Sequence, residues 1–461
     1  MKVMVVGAGK LGYKLAEAMN FEEIDVTLVD IDSDKLERIS DHLDVLTVHA
    51  NGIQIGTLKE LDIGSYDLLV AATNSDEVNT LICTLAKKLN CKKTIARVRN
   101  PEYIEEIDFV KSHFGIDHII NPDLATAIEI ERYISKTYNL YSGDFAKGKV
   151  SMVDFHLGVH NDNFVGKKIK DIKDLKGLLI TAISRNGQLI IPHGSTQIEE
   201  DDVIHVVGGG EDINRLAEIL KVPLNKKESK RVMILGGGNI GYYLAQRLEK
   251  SGIAVTIVEI DKDRCEYLAE KLQHTLIIHG DGTNVDLLQE EDLSSYDTFV
   301  GVTGFDEQNI LMALVAKQYG INKSVAKISR PNYVHIIEKL DVDVAFNPVN
   351  ITVSNVLKFI RGGKVLSVSL LLGGEGEVTE IIASKNSPII DRPIEKLGLP
   401  KGIIIGAIVH NGEVIIPNGK SIIREGDRII VFSLASDTPV LNKLIRPANK
   451  GGFFNGLWSH R

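Results

Sequence analysis

The chain has almost no cysteine, no long apolar run and no surplus of positive charge, and each lack removes a class of function. Its three cysteines, Cys83, Cys91 and Cys265, are odd in number and scattered. They leave no disulfide frame and read as reduced intracellular thiols. No apolar stretch approaches the roughly 20 residues that cross a bilayer. The N-terminus opens strand-like at Lys2-Val3-Met4-Val5-Val6, without the layout of a signal peptide. Any membrane connection is therefore expected to run through a partner. A net charge of -9 argues against general nucleic-acid binding, which calls for a basic surplus or stripe. Also missing are a cysteine–histidine zinc pattern and the acid–base set that a dehydrogenase places beside its cofactor. His156, His160, His193 and His205 are scattered and fit structural places better than ligand places.

The remaining composition, 44% hydrophobic and 25% charged, is that of an ordinary soluble globular protein. At 461 residues the chain exceeds one core, and length alone sets an expectation of about three or four domains.

What is present is stated twice. Gly7-Ala8-Gly9-Lys10-Leu11-Gly12 returns 229 residues later as Gly236-Gly237-Gly238-Asn239-Ile240-Gly241. Asp30 returns as Glu259, and His49-Ala50-Asn51-Gly52 as His279-Gly280-Asp281-Gly282. Pro101 and Tyr103 return as Pro331 and Tyr333. A later segment, Asn186 to Pro192, recurs as Asn411 to Pro417. A lone glycine triplet arises by chance, whereas two copies inside one long pattern do not.

Each copy alternates short apolar strands with helical spacing. Val3–Val6, Val26–Val29 and Asp67–Ala72 read as strands in the first copy, and Val232–Leu235, Val255–Val258 and Thr298–Val302 in the second. The alternation predicts an α/β fold with two doubly wound parallel-sheet, Rossmann-like domains. Each unit ends in an Asn-Pro pair, Asn121-Pro122 and Asn347-Pro348, with a helix expected to follow. Ala127, Ile130 and Ile134 in one helix, and Val349, Val353, Val356 and Ile360 in the other, form apolar stripes. Amphipathicity favours a helix packed on its own sheet, and the open alternative is packing against a partner subunit. The texture then turns β-rich, with hairpin signals at Asn186-Gly187 and Asn411-Gly412. The expected layout is a nucleotide domain at 1–140, a small α+β domain at 141–225, a second nucleotide domain at 230–362 and a second small domain at 363–445. The polar run Asn225–Lys230 joins the halves, and a frayed tail is expected at 446–461.

In a strand–turn–helix setting the first glycine permits the turn, the second lets backbone approach a pyrophosphate, and the third lets helix and strand pack closely. Gly7, Gly9 and Gly12 fit these roles, as do Gly236, Gly238 and Gly241. Lys10, Leu11, Asn239 and Ile240 complete the loops and open the helices, whose N-terminal N–H groups suit phosphate. An acid follows 18 residues past each third glycine, Asp30 and Glu259. Both suit the adenosine ribose hydroxyls and would repel a 2′-phosphate, which favours NAD(H) over NADP(H). Asp32 and Asp261, two residues on, face the same way and are alternatively helix caps. Asn51, Gly52, Gly280 and Asp281 lie after the third strand, where an adenosine would lie or where a glycine turn is simply required. Thr73 with its neighbour Asn74, and Thr303, end the fourth strand at the ligand-binding edge. Asp76, Asn79, Asp306 and Asn309 follow, with capping as their alternative. Lys10 either adds charge near the phosphates, in which case the first site is expected to accept ATP or ADP better than the second, or is simply a solvated lysine.

These residues, with Arg97-Val98-Arg99-Asn100-Pro101 and its echo Lys327-Ile328-Ser329-Arg330-Pro331, resemble the TrkA-type regulatory subunits of Trk potassium-uptake systems. Each half resembles a KTN (RCK) domain followed by a TrkA-C domain, over about residues 1–445. The resemblance implies a cytoplasmic, peripheral protein held on the inner face of the membrane by a potassium-translocating Trk subunit. It also implies a homo-oligomeric ring, a tetramer, that binds NAD(H), in some members ATP or ADP, and gates ion flow by changing shape. In related rings basic residues hold the phosphates, for which Lys10, Arg97 and Lys327 are the local candidates. Asn51 and Ser329 depart from strict equivalence of the two halves. The competing readings are an NAD-dependent oxidoreductase, which shares the glycine fingerprints, and a scaffold that has kept the fold without a ligand.

Overall fold

Residues 1–22, 24–135, 143–158, 160–222, 229–330, 333, 340–385 and 387–445 are described by a computed structural model. Pro331, most of the 225–230 joint and the 446–461 tail lie outside them. The first sheet contains β1 (Lys2–Val6), β2 (Asp25–Asp30), β3 (Leu46–His49), β4 (Leu68–Ala71), β5 (Thr94–Arg97) and β6 (His118–Ile120). Its order is β3-β2-β1-β4-β5-β6, parallel throughout. Val3, Met4 and Val5 are wholly buried, as expected of strands covered by helices on both faces. The strand order reverses between β1 and β4, and in such sheets the ligand crevice opens at that switch point.

Five strands then form a small antiparallel sheet: β7 (Gly143–Phe145), β8 (Val150–His156), β9 (Leu178–Arg185), β10 (Gln188–Ile190) and β11 (Val203–Gly208). The β9–β10 hairpin turns on Asn186 (φ 49) and Gly187 (φ 79), the two positive φ values that a two-residue primed turn demands. The second half repeats the plan. A parallel sheet holds β12 (Arg231–Leu235), β13 (Ala254–Glu259), β14 (Leu276–His279), β15 (Thr298–Gly301), β16 (Lys323–Lys327) and β17 (Val344–Phe346), again with its order reversing between the first and fourth strands. A second small sheet holds β18 (Val365–Leu371), β19 (Gly376–Ile382), β20 (Ile403–His410), β21 (Glu413–Ile415) and β22 (Arg428–Leu434), with Asn411 and Gly412 at its hairpin. The two small sheets share one core, in which Phe145, Met152, Ala182 and Val207 meet Val378, Ala407, Ile430 and Phe432.

The chain does not divide where its repeat divides. Among the described residues, one compact body takes Met1–Ala125 together with Pro348–Ile360, and the other takes Thr126–Asn347 and the chain from Arg361 to Ile445. The helix that follows each parallel sheet therefore belongs, wholly or in large part, with the other half's body. Within the first body, Phe359 stacks on His118 of β6 at 5.0 Å. Within the second, Lys323 of β16 donates to the carbonyls of Tyr133 and Ile134 at the end of the helix Pro122–Ile134. There Arg247 also pairs with Glu131, and Tyr133 meets Phe346 edge-on at 6.4 Å. This corrects the expectation that each helix packs on its own sheet. Along the apolar stripes Ala127, Ile130, Ile134, Val353 and Val356 are wholly buried, as is all but 1% of Ile360, and Val349 is half-buried.

The exchange has a direct test. Val356→Asp places a carboxylate in a wholly buried site, at a cost of about 3 kcal/mol or more. Hydrogen exchange is expected to rise in β1–β6, more than 220 positions earlier in the chain, while β12–β17 stay protected. Faster exchange in β12–β17 alone would place the helix on its own sheet after all.

Candidate functional site

Each parallel sheet brings its glycine loop, its strand-end acid and its fourth-strand threonine to one edge. In the first half β1 and β2 end in register at Val6 and Val29, and β1 and β4 at Val6 and Ala71. Gly7 has φ +109, and a Cβ there would lie 2.8 Å from the backbone of Ala72. The turn after β1 thus runs against the end of β4. A Cβ on Gly12 would lie 1.8 Å from the carbonyl oxygen of Gly7, so the helix Lys10–Asn20 packs on its own loop only because Gly12 has none. Gly236 (φ +104) and Gly241 (2.1 Å from the oxygen of Gly236) repeat both constraints. Gly9 and Gly238 differ, because a Cβ on either meets nothing within 4 Å. The middle glycine faces open space in both copies, which is where backbone would have to meet a pyrophosphate. Neither following helix has a side-chain cap at its N-terminal glycine, whereas Asp32, Ser75 and Asp261 cap theirs.

The acids are held against the loops. Asp30 accepts from Ala8 N at 2.5 Å and from Asp32 N at 2.9 Å. Glu259 accepts from Gly237 N at 2.6 Å and from Asp261 N at 2.9 Å. Each carboxylate is therefore fixed beside the turn before any ligand arrives. Asp32 and Asp261 act as helix caps, accepting from Lys35 N and Arg264 N. The ion pair and N–H bond from Lys35 also hold the Asp32 carboxyl below its usual range.

The turn after the third strand is tied to the same acids through backbone: Ala50 N donates to Asp30 O, and Gly280 N to Glu259 O. Asn51 accepts from Ile53 N, and Asp281 accepts from Thr283 N and Oγ1, bonds that lower its pKa. A Cβ on Gly52 would collide with Val6, and one on Gly282 with Leu235. Leu11 and Ile240 are buried, so what they offer at the site is backbone N–H and not side chain. Lys10 and Asn74 are exposed.

The fourth strand ends in a repeated lock. Asn79 Oδ1 accepts from Thr73 N and Oγ1, and its Nδ2 donates to Thr73 O and Arg97 O. Asn309 makes the same four bonds to Thr303 and Lys327. Asp76 accepts from Arg99 N and Asn100 N, and Asp306 from Ser329 N and Arg330 N. These four residues thus build the floor. Lys327 reaches Thr303 O at 2.7 Å and lies 3.9 Å from Asp306. Arg97 Nη1 donates to Thr73 O at 3.1 Å, yet its Nε is buried with no hydrogen-bond partner among the described residues. Burial, and then Arg99, pull the Arg97 pKa down. A buried N–H without an acceptor, two open middle glycines and uncapped helix N-termini fit a phosphate-bearing ligand whose ribose meets the acid.

The residues next to the acids carry little signal in the sequence. Ile31 and Ile260 directly follow the acids and are 70% and 66% exposed. Two matched, solvent-facing isoleucines at the ligand edge offer an apolar face for a base. Their only signal in the sequence is their recurrence beside Asp30 and Glu259.

Family models for the TrkA-N domain match residues 3–122 and 232–348, and models for the TrkA-C domain match residues 159–221 and 378–446. The chain is 38% identical to Trk system potassium uptake protein TrkA homolog 2 of Methanosarcina mazei, covering 97% of this chain and 100% of that one. It is 36% identical to Trk system potassium uptake protein TrkA of Haemophilus influenzae, covering 97% and 99%. Among solved structures it shares its fold with the GsuK RCK domain (TM-score 0.53, 18% identity, 96% of this chain and 94% of that one) and with the GsuK channel bound to NAD (TM-score 0.53, 17% identity, 96% and 78%).

The glycines separate structural from ligand roles. Gly9→Ala and Gly238→Ala are expected to leave the unfolding free energy within about 0.5 kcal/mol of wild type and to weaken nucleotide binding at their own site. Gly12→Ala and Gly241→Ala are expected to cost about 3 kcal/mol or more through the clash with the loop carbonyl. Equal destabilisation by all four, measured by urea unfolding, would contradict this division.

Proposed function

The chain belongs to the TrkA family of Trk-system potassium uptake proteins, and we propose that it is the nucleotide-binding regulatory subunit that gates a potassium-translocating membrane partner. The observation that carries this reading is the pair of preformed edges at which Asp30 and Glu259 stand fixed against glycine loops whose middle residues face open space. The ligand proposed is NAD(H), with ATP or ADP as further ligands of the first site, where Lys10 lies in the loop. The names of the relatives support a potassium-uptake role, and the GsuK channel holds NAD on the same fold.

At each site the loop N–H groups and Arg97 or Lys327 would neutralise phosphate, the acid would read ribose hydroxyls, and Ile31 or Ile260 would cover the base. The nucleotide supplies binding energy that differs between conformations, since a ligand shifts an assembly only by its differential affinity for the two states. The protein would work as a homo-oligomeric ring, a tetramer, on the cytoplasmic side of the membrane. Its partner would hold it there, since no helix among the described residues is long and apolar enough to cross a bilayer.

Calorimetric titration of NADH, NAD, ATP and ADP into wild type, Asp30→Ala and Glu259→Ala tests the site. Each substitution is expected to weaken one of two binding events by about 10–100-fold, the loss of charge-assisted hydrogen bonds. Flux through the Trk membrane subunit in proteoliposomes should then respond to nucleotide with wild type and not with the double variant. Absence of binding to wild type would remove the mechanism, and substrate-dependent NADH oxidation would favour the oxidoreductase reading.

A further inference from the structure

Five residues beyond each acid stands a base, Lys35 in the first half and Arg264 in the second. The two are held in different ways. Lys35 Nζ pairs with Asp32 at 2.9 Å, and half of its side chain is exposed. Arg264 turns to the glycine loop instead, where its Nε donates to Gly237 O at 2.7 Å. Its guanidinium lies over the ring of Tyr267 at 4.6 Å, and its Nη2 is buried with no hydrogen-bond partner among the described residues. Tyr267 is braced by Tyr242 at 6.0 Å. The first half has Arg38 where the second has Tyr267, so the ring under Arg264 has no counterpart one turn along from Lys35.

The loop itself shows the opposite difference, with Lys10 in the first copy and Asn239 in the second. Gly237 donates to Glu259 and accepts from Arg264. The fixed cation of the second site therefore adjoins the ribose-reading acid. A planar guanidinium stacks on flat groups and donates in fixed directions, which an ammonium on a flexible stem does not. A buried N–H without an acceptor is costly until a partner supplies one.

We propose that Arg264 is the adenosine-reading residue of the second site. Its guanidinium stacks on the purine of an adenine nucleotide and its Nη2 donates to an acceptor on the adenosine, a role that Lys35 does not fill in the first site. This rests on the nucleotide-binding reading above.

The test uses the full chain with the first site disabled by Asp30→Ala, titrated with NADH, AMP and inorganic tripolyphosphate. Adding Arg264→Ala is expected to weaken NADH and AMP by about tenfold, the scale of one desolvated cation–π contact with its hydrogen bond, and to change tripolyphosphate less than twofold. Arg264→Lys should recover only a minor part of the loss, because the charge returns without the plane. Lys35→Ala in a Glu259→Ala background should leave NADH affinity at the first site within twofold. Unchanged NADH and AMP affinity in Arg264→Ala would overturn the assignment. So would a loss for tripolyphosphate equal to that for NADH, which would make Arg264 a phosphate clamp. If the Asp30→Ala parent and wild type bind no adenine nucleotide, the nucleotide-binding reading itself fails.

Discussion

The closeness of one helix to one turn governs the rest of the nucleotide edge. Only a residue without a side chain at Gly12 or Gly241 lets the helix start directly on the carbonyl of Gly7 or Gly236. From that contact follow the left-handed φ at the first glycine and the position of the Ala8 and Gly237 amides, which reach the acids at the ends of β2 and β13. The acid is thus fixed by backbone, and the space left over the middle glycine is a consequence of the same packing. Preorganisation of this kind matters because binding then orders few groups, and less of the contact energy is lost to immobilising them.

The exchange of helices shapes what a ligand can do. The first compact body contains the first glycine loop and the helix Pro348–Ile360, which is encoded after the second parallel sheet. The second contains the other loop, most of the helix Pro122–Ile134 and both small sheets. A ligand that tightens either nucleotide edge therefore acts on a body to which both halves of the chain contribute. On the proposed reading, a regulator needs this physical continuity between binding and the elements that move.

Much of the site was legible because its constraints are local. Glycine spacing, the acid at the strand end and Asn-Gly hairpins are set by φ values and strand twist within a few residues. The doubly wound parallel sheets followed from alternation of strand and helix. What was not legible depends on distant partners. The stripe Val349, Val353, Val356 and Ile360 announces a buried face and says nothing of which surface covers it. Lys327 looked like a phosphate ligand, yet its ammonium also ties down Thr303 O. Asn79 and Asn309 are open in the sequence between ligand contact and helix capping, and in the fold each joins two strand ends by four hydrogen bonds. Arg264 was overlooked because its placement depends on Tyr267 one turn along the helix and on a loop carbonyl 27 residues back.

The two edges are copies in backbone and not in chemistry. By position in the repeat, Lys10 corresponds to Asn239, Asn51 to Asp281, Arg97 to Lys327, and the capping Ser75 to Phe305, which is 65% exposed. A repeat that served only to fill a ring would tolerate identical sites. On the proposed reading, unequal sites would let one chain respond to two nucleotides, or to the balance between two forms of one, because a ligand that favours neither conformation shifts nothing however tightly it binds. The differences lie where the charge and the base of a nucleotide would lie, while the glycines and locking asparagines that shape the edge are the same in both halves. That distribution is expected if the fold of each edge is under one constraint and its ligand preference under another.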